Sequence, residues 1–406
     1  MQTTPLSEGI AIVGGGPAGL VAAIALARRG IQTTVFERDV HPDAAPRFNP
    51  DRSYTIDITG HGLRALRHLD VTPYFDARML QFKGIQYQGR VVDDWPEQGW
   101  TGSRGDIVRS LMAPIAEQYQ KYVDFAFSSR VTALDVEGGT LTSEQEDGPP
   151  VTRRFDLIIG ADGAGSVVRQ AMQQQVAGFT VESRSIPNYV TMIELDQVGD
   201  QLDKEYLQAL SIRHFCVAGA VPGDDGPGSP RWFCAVGTKE APDFATPAQA
   251  RQYLAKVCPP ILDLASDLSI AAFADRHSYH VGLSTTCSQL HGGKAVLLGD
   301  AAAPFPPIGQ GVNAAMESAT VLDTHIGALA GTDLTEAAAS YSAAWKPESD
   351  AVTWISERVL FDNPLNTLRS TVTMALGVNV VGQAKSVHTS YAEVRENARK
   401  IGWLWK

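Results

Sequence analysis

Six residues near the N-terminus, Gly14-Gly-Gly16-Pro17-Ala18-Gly19, lie between two short apolar runs, and no other feature narrows the possible fold as far. Ile10-Ala-Ile-Val13 before them reads as a buried strand. Leu20 to Arg29 after them keeps helical periodicity, and Thr33-Thr-Val-Phe36 is a second strand ending at Glu37. Strand, glycine turn, helix, strand and acid in one unit describe the start of a Rossmann-type parallel α/β layer that binds a dinucleotide. Gly14 permits the tight turn, Gly16 has no side chain to block a pyrophosphate, and Gly19 lets the helix pack closely on the sheet. Pro17 and Ala18 complete the turn and belong with it as cofactor-binding positions. The helix N-terminus offers free N–H groups and positive potential to phosphates. Glu37, about twenty residues on, can accept hydrogen bonds from a ribose diol. This unit alone does not separate NAD from FAD.

Two later stretches repeat the passage from apolar strand to glycine–aspartate turn. Phe155-Asp-Leu-Ile-Ile159 runs into Gly160-Ala-Asp162-Gly163-Ala-Gly-Ser166-Val-Val-Arg169. Ala295-Val-Leu-Leu298 runs into Gly299-Asp300, then Pro304-Phe-Pro306-Pro307-Ile-Gly309-Gln310-Gly311-Val312-Asn313 and a helix through Ala314, Met316, Ala319 and Leu322. With the first turn, and in this order, these motifs resemble the single-component (group A) FAD-dependent aromatic monooxygenases of the p-hydroxybenzoate hydroxylase type. Arg52-Ser53, Asp156 to Gln170 and Gly309 to Glu317 are similar in wording to the kynurenine 3-monooxygenase-like subgroup.

The resemblance implies a bound FAD, transient NADPH or NADH, and O2 activated as a flavin C4a-hydroperoxide that hydroxylates or epoxidises a small aromatic, indolic or other unsaturated ring. It also implies roles. Asp300 bonds the ribityl chain, which suits a carboxylate facing a polyol. Pro306 or Pro307 lies beside the flavin ring; Pro307 is the one taken here. Gly309 and Gln310 form the turn, and the N–H groups of Gly311, Val312 and Asn313 face the flavin N1–C2=O edge. Arg104, opening Arg104-Gly-Asp-Ile-Val-Arg-Ser-Leu111, reaches the FAD; Arg38 contacts the adenosine and Val131 offers backbone to the adenine. Asp162 belongs to the neighbourhood shared by flavin and NAD(P)H. The plain alternatives are a surface helix arginine for Arg104 and a helix N-cap for Asp162.

Two departures from the family pattern concern the re-face pocket. Ala303 stands where the family has histidine, and the loop to Gly-Gln-Gly is one residue shorter than in kynurenine hydroxylases. Those enzymes hold a substrate carboxylate with an arginine; the comparable stretch, Gln81-Phe-Lys-Gly-Ile-Gln-Tyr87, offers Lys83 instead. A ring carrying its own amino, indole or phenol group needs no acid–base residue for oxygen transfer, so no catalytic residue is assigned. Secondary metabolism is the expected setting. Two other readings are a flavin-dependent halogenase, whose Trp-x-Trp-x-Ile-Pro signature is missing, and a non-redox flavoprotein.

Composition removes further classes. Asp+Glu 45 against Lys+Arg 34 gives a formal charge of -11, which offers nucleic acid or an anionic membrane no general attraction. Cys216, Cys234, Cys258 and Cys287 form no CxxC pair and have no histidine at ligand spacing, so they read as buried small hydrophobes in a reducing compartment and no metal site is expected. The apolar stretch Ala18 to Ala27 lacks the basic lead of a signal peptide, and no apolar run reaches the roughly twenty residues of a membrane span. A cytoplasmic protein is expected.

The organisation expected is α/β: a Rossmann-type FAD-binding domain, an antiparallel substrate sheet and a helical C-terminal segment. The FAD-binding domain is read as discontinuous, residues 1–75, 98–180 and 281–335. The substrate domain is 76–97 and 181–280, and 336–406 is the helical region, punctuated by Asn363-Pro364 and Gly377. Residues 123 to 156 read as a β-meander around Gly138-Gly139 and Asp147-Gly-Pro-Pro150. Strands are expected at Tyr189 to Leu195, Ile212 to Val221, Trp232 to Val236 and His277 to Leu283, with loop 222–230 joining two as a hairpin. His277 and His280 read as ordinary sheet residues, and Trp403-Leu-Trp405 as a packing anchor.

Overall fold

A computed structural model describes residues 8–49, 53–95, 97–146, 148–211, 213–329, 333–359, 364–375, 379–402 and 405. Arg52, Asp147, Ile212, Asn363, Gly377, Trp403 and Leu404, named above, lie outside these residues.

The apolar runs flanking the first glycine turn become the middle of a six-stranded sheet. Its order is His291–Gly292, Ala295–Leu297, Leu157–Gly160, Ile10–Val13, Thr33–Phe36 and Val123–Ala126. All neighbours are parallel except His291–Gly292, and Ile12 lies opposite both Val35 and Ile159. Every residue of the strands Ile10–Val13, Thr33–Phe36 and Leu157–Gly160 is buried, as a parallel sheet covered on both faces requires. The helix Pro17–Arg28 buries all of Ala18 to Ala27, packed near the helix Gly311–Ala328. Leu20, Val21, Ile24 and Leu26, so buried, contribute roughly 1.5–3 kcal/mol each.

Val123–Ala126 closes this parallel sheet rather than opening the meander. Its residues are drawn to the edge left by Thr33–Phe36. The meander itself is three antiparallel strands, Arg130–Asp135, Thr140–Glu144 and Val151–Arg154.

The second large sheet has the order Ser278–His280, Tyr189–Leu195, Gly226–Thr238, Cys216–Gly223, Tyr206–Ala209, Gly84–Tyr87 and Arg90–Asp94. The expected loop 222–230 is mostly strand: Gly223 pairs with Gly226, so the turn is Asp224-Asp225. The expected run His277 to Leu283 is divided, its end passing to the strand Leu283–Cys287, which pairs with Val181–Ser185. Alternation along the strands gives the sheet two faces. Ile193, Leu195, Cys216, Ala218, Ala220, Trp232, Cys234 and Val236 share a core with Leu254, Ile261, Ile270 and Phe273. These come from the helices Pro247–Val257, Ile261–Leu264 and Asp267–Ala274, which the strand-rich reading of this segment passed over. The opposite face carries Val190, Met192, Val221, Phe233 and Ala235, with Phe48 packed on them.

The C-terminal region is helical as expected, with helices Leu334–Val359, Pro364–Ala375, Val380–Ala384 and Tyr391–Lys400. Trp405 is fully buried against Trp354, their ring centroids 5.8 Å apart. All four cysteines are unpaired and buried.

Candidate active site

The three glycine turns meet at the C-terminal ends of the central strands, the usual place for a ligand in an open α/β sheet. Gly14 has φ +106°, and a Cβ there would strike the carbonyl of Ala161, so the first turn lies directly on the second. A Cβ on Gly19 would overlap the carbonyl of Gly14, which is how close the helix comes to its own turn. Gly299 of the third turn sits between two helices: its Cβ would stand 2.8 Å from that of Ala315 and 3.5 Å from that of Ala18.

Two helix N-termini open here. The helix Pro17–Arg28 begins at Gly16 and the helix Gly311–Ala328 at Gln310, and neither receives a side-chain cap. Their first-turn N–H groups therefore want an acceptor from outside the chain. Gly311 stands in open space, and Pro307 and Gly309 are exposed.

Arg104 is brought to the phosphate turn. A capping box between Ser103 and Asp106 fixes the start of the helix Arg104–Pro114, and the Arg104 guanidinium comes within 3.4 Å of a Cβ placed on Gly16. Glu37 sits over the same turn: its Oε2 accepts from Gly15 N at 2.7 Å and its Oε1 from Asp39 N at 2.9 Å. Arg38 is exposed beside it. Val131 is buried two residues beyond Ser129, whose N–H donates to the Glu37 carbonyl at 2.9 Å.

Ser166, not Asp162, is the N-cap of the helix Val167–Gln175, yet Asp162 reaches the first-turn N–H groups of that helix. Its Oδ2 accepts from Val167 N at 2.7 Å, whereas Oδ1 is buried and lacks a hydrogen-bond partner among the described residues. Burial raises its carboxyl above the ordinary range, opposed by hydrogen bonds from Ser166 and Val167. Asp300 is exposed to water, yet neighbouring protein atoms crowd its carboxyl. That crowding raises its carboxyl, with Arg104 and then Arg169 pulling it back.

Gln310 and Asn313 turn their side chains inward. Gln310 is fully buried; it donates to the Gly309 carbonyl at 2.9 Å and accepts from the Tyr391 hydroxyl at 3.0 Å. Asn313 accepts from Thr59 N at 3.0 Å and donates to the carbonyls of Asp57 at 2.9 Å and Gly309 at 3.0 Å. Both hold the turn, so only their backbone can face a ligand. Ala303 is buried at the end of the short Gly299–Ala301 helix, and Lys83 is paired with Glu205 at the surface.

Sequence reasoning passed over several residues that shape the site. Arg169, buried in the helix Val167–Gln175, donates to the carbonyls of Ala301 at 2.6 Å, Asp300 at 3.3 Å and Ala164. Tyr391 stacks on His61 at 3.7 Å between centroids, and His61 meets Glu317, which also pairs with Arg64 at 2.5 Å. Tyr54 keeps 45% of its surface exposed, yet crowding by protein atoms, then Asp300, raises its phenol, and Arg104 lowers it. The Arg169 signal was available, since it ends the Asp162 motif. The Tyr391 and His61 contacts join residues far apart in sequence.

FAD fits this donor set. Uncapped N–H groups and Arg104 suit a pyrophosphate, Glu37 a ribose, and Asp300 a polyol. The fold and site define a flavoprotein oxidoreductase. Residues 8–354 match the family model described as FAD binding domain. Kynurenine 3-monooxygenase of Salinispora arenicola is 30% identical over 366 residues, covering 86% of this chain and 78% of that protein. The protein of the same name from Stenotrophomonas maltophilia is 30% identical over 369 residues, covering 85% and 77%. Tetrameric 2-methyl-3-hydroxypyridine-5-carboxylic acid oxygenase superposes with a TM-score of 0.69 at 19% identity, covering 96% of this chain and 99% of that one, a likeness of fold. The chain belongs to the FAD-binding-domain family, and within it to the FAD-dependent aromatic monooxygenases reduced by NAD(P)H. The kynurenine 3-monooxygenase relatives support this reading over the halogenase and the non-redox flavoprotein. Among the described residues, no helix is long and apolar enough to cross a membrane.

Proposed function

We propose that the protein adds one oxygen atom of O2 to a small aromatic, indolic or other unsaturated ring at the groove between the three glycine turns and the seven-stranded sheet. The observation that carries this is the convergence of the turns on two uncapped helix N-termini. When bound, FAD would supply the redox chemistry, accepting hydride from NADPH or NADH and activating O2.

This chain's residues bind and orient it. Gly14, Gly16, Pro17, Ala18 and Gly19 with Arg104 receive the pyrophosphate. Glu37, Arg38 and Val131 receive the adenosine, and Asp300 the ribityl chain. Pro307, Gly309, Gln310, Gly311, Val312 and Asn313 form the turn and helix start beside the flavin ring, where backbone N–H groups favour negative charge. Asp162, with one oxygen unpartnered, belongs to the shared flavin and nicotinamide neighbourhood. The sheet face of Met192, Val221 and Phe233 excludes water from the reacting ring.

We assign 1–75, 98–180 and 281–335 to the FAD-binding domain, 76–97 and 181–280 to the substrate domain, and 336–406 to a helical cover. Four unpaired buried cysteines suit a reducing compartment, and the cytoplasm is the proposed location.

The test is reconstitution with FAD followed by a screen of aromatic and indolic compounds. Ring compounds should accelerate NAD(P)H oxidation and yield a product heavier by one oxygen atom in mass spectrometry. Hydride consumption that no ligand stimulates, with no oxygenated product, overturns the reading.

A further inference from the structure

We propose that the substrate is an uncharged ring compound lacking a carboxylate, held against the apolar face of the seven-stranded sheet; this rests on the monooxygenase reading above. The segment Ser53-Tyr54-Thr55 joins that face to the cofactor turns. Thr55 Oγ1 donates to the Ala220 carbonyl at 3.3 Å, and a Cβ on Gly219 would stand 2.5 Å from the same oxygen. Asp57, two residues further on, accepts through its carbonyl from Asn313 Nδ2 at 2.9 Å, at the start of the helix Gly311–Ala328. The Gly219–Val221 stretch of the sheet therefore looks across this segment toward the flavin-binding turns.

The wall is apolar, and its cations are matched. Val190, Met192, Val221, Phe233 and Ala235 line it, and Phe48 lies over Phe233 at 6.3 Å between ring centroids. Arg231 donates Nε to Glu194 Oε1 at 2.9 Å and stacks on Phe48, 4.1 Å from its centroid. Arg47, next to Phe48 in sequence, meets Asp106 at 3.3 Å. Lys385, buried, stands 3.3 Å from Asp57 Oδ2, beside the Gly309 turn. Arg104 is directed at Gly16 and the phosphates, and Lys83 pairs with Glu205 at the surface. An incoming carboxylate would have to displace an acid already bound to Arg231, or stay unpaired beside Phe233 and Met192, and either outcome is costly in an apolar wall. A neutral ring leaves the Arg231–Glu194 pair intact and gains the contacts of the half-buried Phe48, Val190 and Ala235, beneath which Met192, Val221 and Phe233 are already packed.

The test uses the FAD-loaded protein titrated with matched probes, indole against indole carboxylate and naphthol against hydroxynaphthoate, read by perturbation of the flavin spectrum. The neutral member should bind roughly ten-fold tighter or more. Glu194→Gln leaves Arg231 without its acid and should narrow that ratio about ten-fold by tightening the carboxylates. The double variant Glu194→Gln, Arg231→Met restores the neutral preference, which separates the charge effect from damage to the sheet. Equal or tighter binding of carboxylates, a ratio that Glu194→Gln leaves unchanged, or no perturbation by either member overturns the proposal. Failure of the monooxygenase reading shows separately, as bound FAD that neither NADPH nor NADH bleaches in the absence of air.

Discussion

Arg169 Nη1 lies 2.6 Å from the carbonyl oxygen of Ala301, and this contact ties the second glycine–aspartate turn to the third. The guanidinium is buried and answers three carbonyls at once, including those of Asp300 and Ala164. Arg169→Ala would leave them unsatisfied, a loss of about 2–4 kcal/mol from hydrogen bonds to a charged donor. The expected result is a lower Tm in the absence of FAD and FAD affinity weakened by roughly ten-fold or more. Arg169→Lys should recover only part of either, since an ammonium cannot match the planar fork. Normal FAD affinity in Arg169→Ala would refute the coupling of the two turns.

Tyr391→Phe tests how the C-terminal helices serve the site. Removing the hydroxyl strands the buried Gln310 Oε1, at a cost of about 1–3 kcal/mol. The stacking on His61 survives, so folding should persist while Tm falls by several degrees. Thermal unfolding of the FAD-loaded variant checks this; an unchanged Tm means that the Tyr391 bond does not support the turn.

The first turn and its helix were fully legible in the sequence because their chemistry is local. Glycine spacing, strand alternation and a terminal acid lie within Ile10 to Glu37, and the structure returns the same boundaries to within three residues. The helices between Pro247 and Ala274 were missed although Thr246 caps the first of them and Pro247 opens it. Strand-like runs on either side, Trp232 to Val236 and His277 to Leu283, outweigh those signals in the pattern. Val123–Ala126 was assigned to the wrong sheet because an edge strand is chosen by its partner, here Thr33–Phe36. The inward turn of the Gln310 and Asn313 side chains could not be read at all. Their partners, Tyr391, Thr59 and Asp57, lie between 81 and 256 residues away.

Gly19→Ala should abolish FAD uptake. Its methyl group would overlap the Gly14 carbonyl, and backbone cannot move aside as a flexible side chain can. Overpacking of this kind costs about 1–3 kcal/mol or more and displaces the turn that receives the phosphates. The check is flavin content after purification and reconstitution; a yellow protein with normal stoichiometry would contradict the geometry.

Asp300→Asn separates stability from cofactor binding. Crowding by neighbouring protein atoms raises the folded-state carboxyl above its ordinary value, with Arg104 and then Arg169 opposing it. The folded chain then keeps a proton at pH values where the unfolded chain has released it. Stability of the FAD-free protein therefore falls as pH rises through that window, and the loss persists above it. Asp300→Asn removes this slope and should make the FAD-free protein slightly more stable at neutral pH, the effect being small because water reaches the groove. FAD affinity should drop about ten-fold, since an amide cannot replace a charged acceptor. Denaturation against pH and an FAD titration read the two effects independently.

The two bare helix ends at Gly16 and Gln310 make flavin supply a determinant of how much of this protein survives. Their first-turn N–H groups receive no side-chain cap, so an anion captured there adds to the stability of the fold. Ligand present at a hundred times its dissociation constant adds about 2.7 kcal/mol. A cell starved of riboflavin would accordingly lose the polypeptide to proteolysis, and not merely its colour.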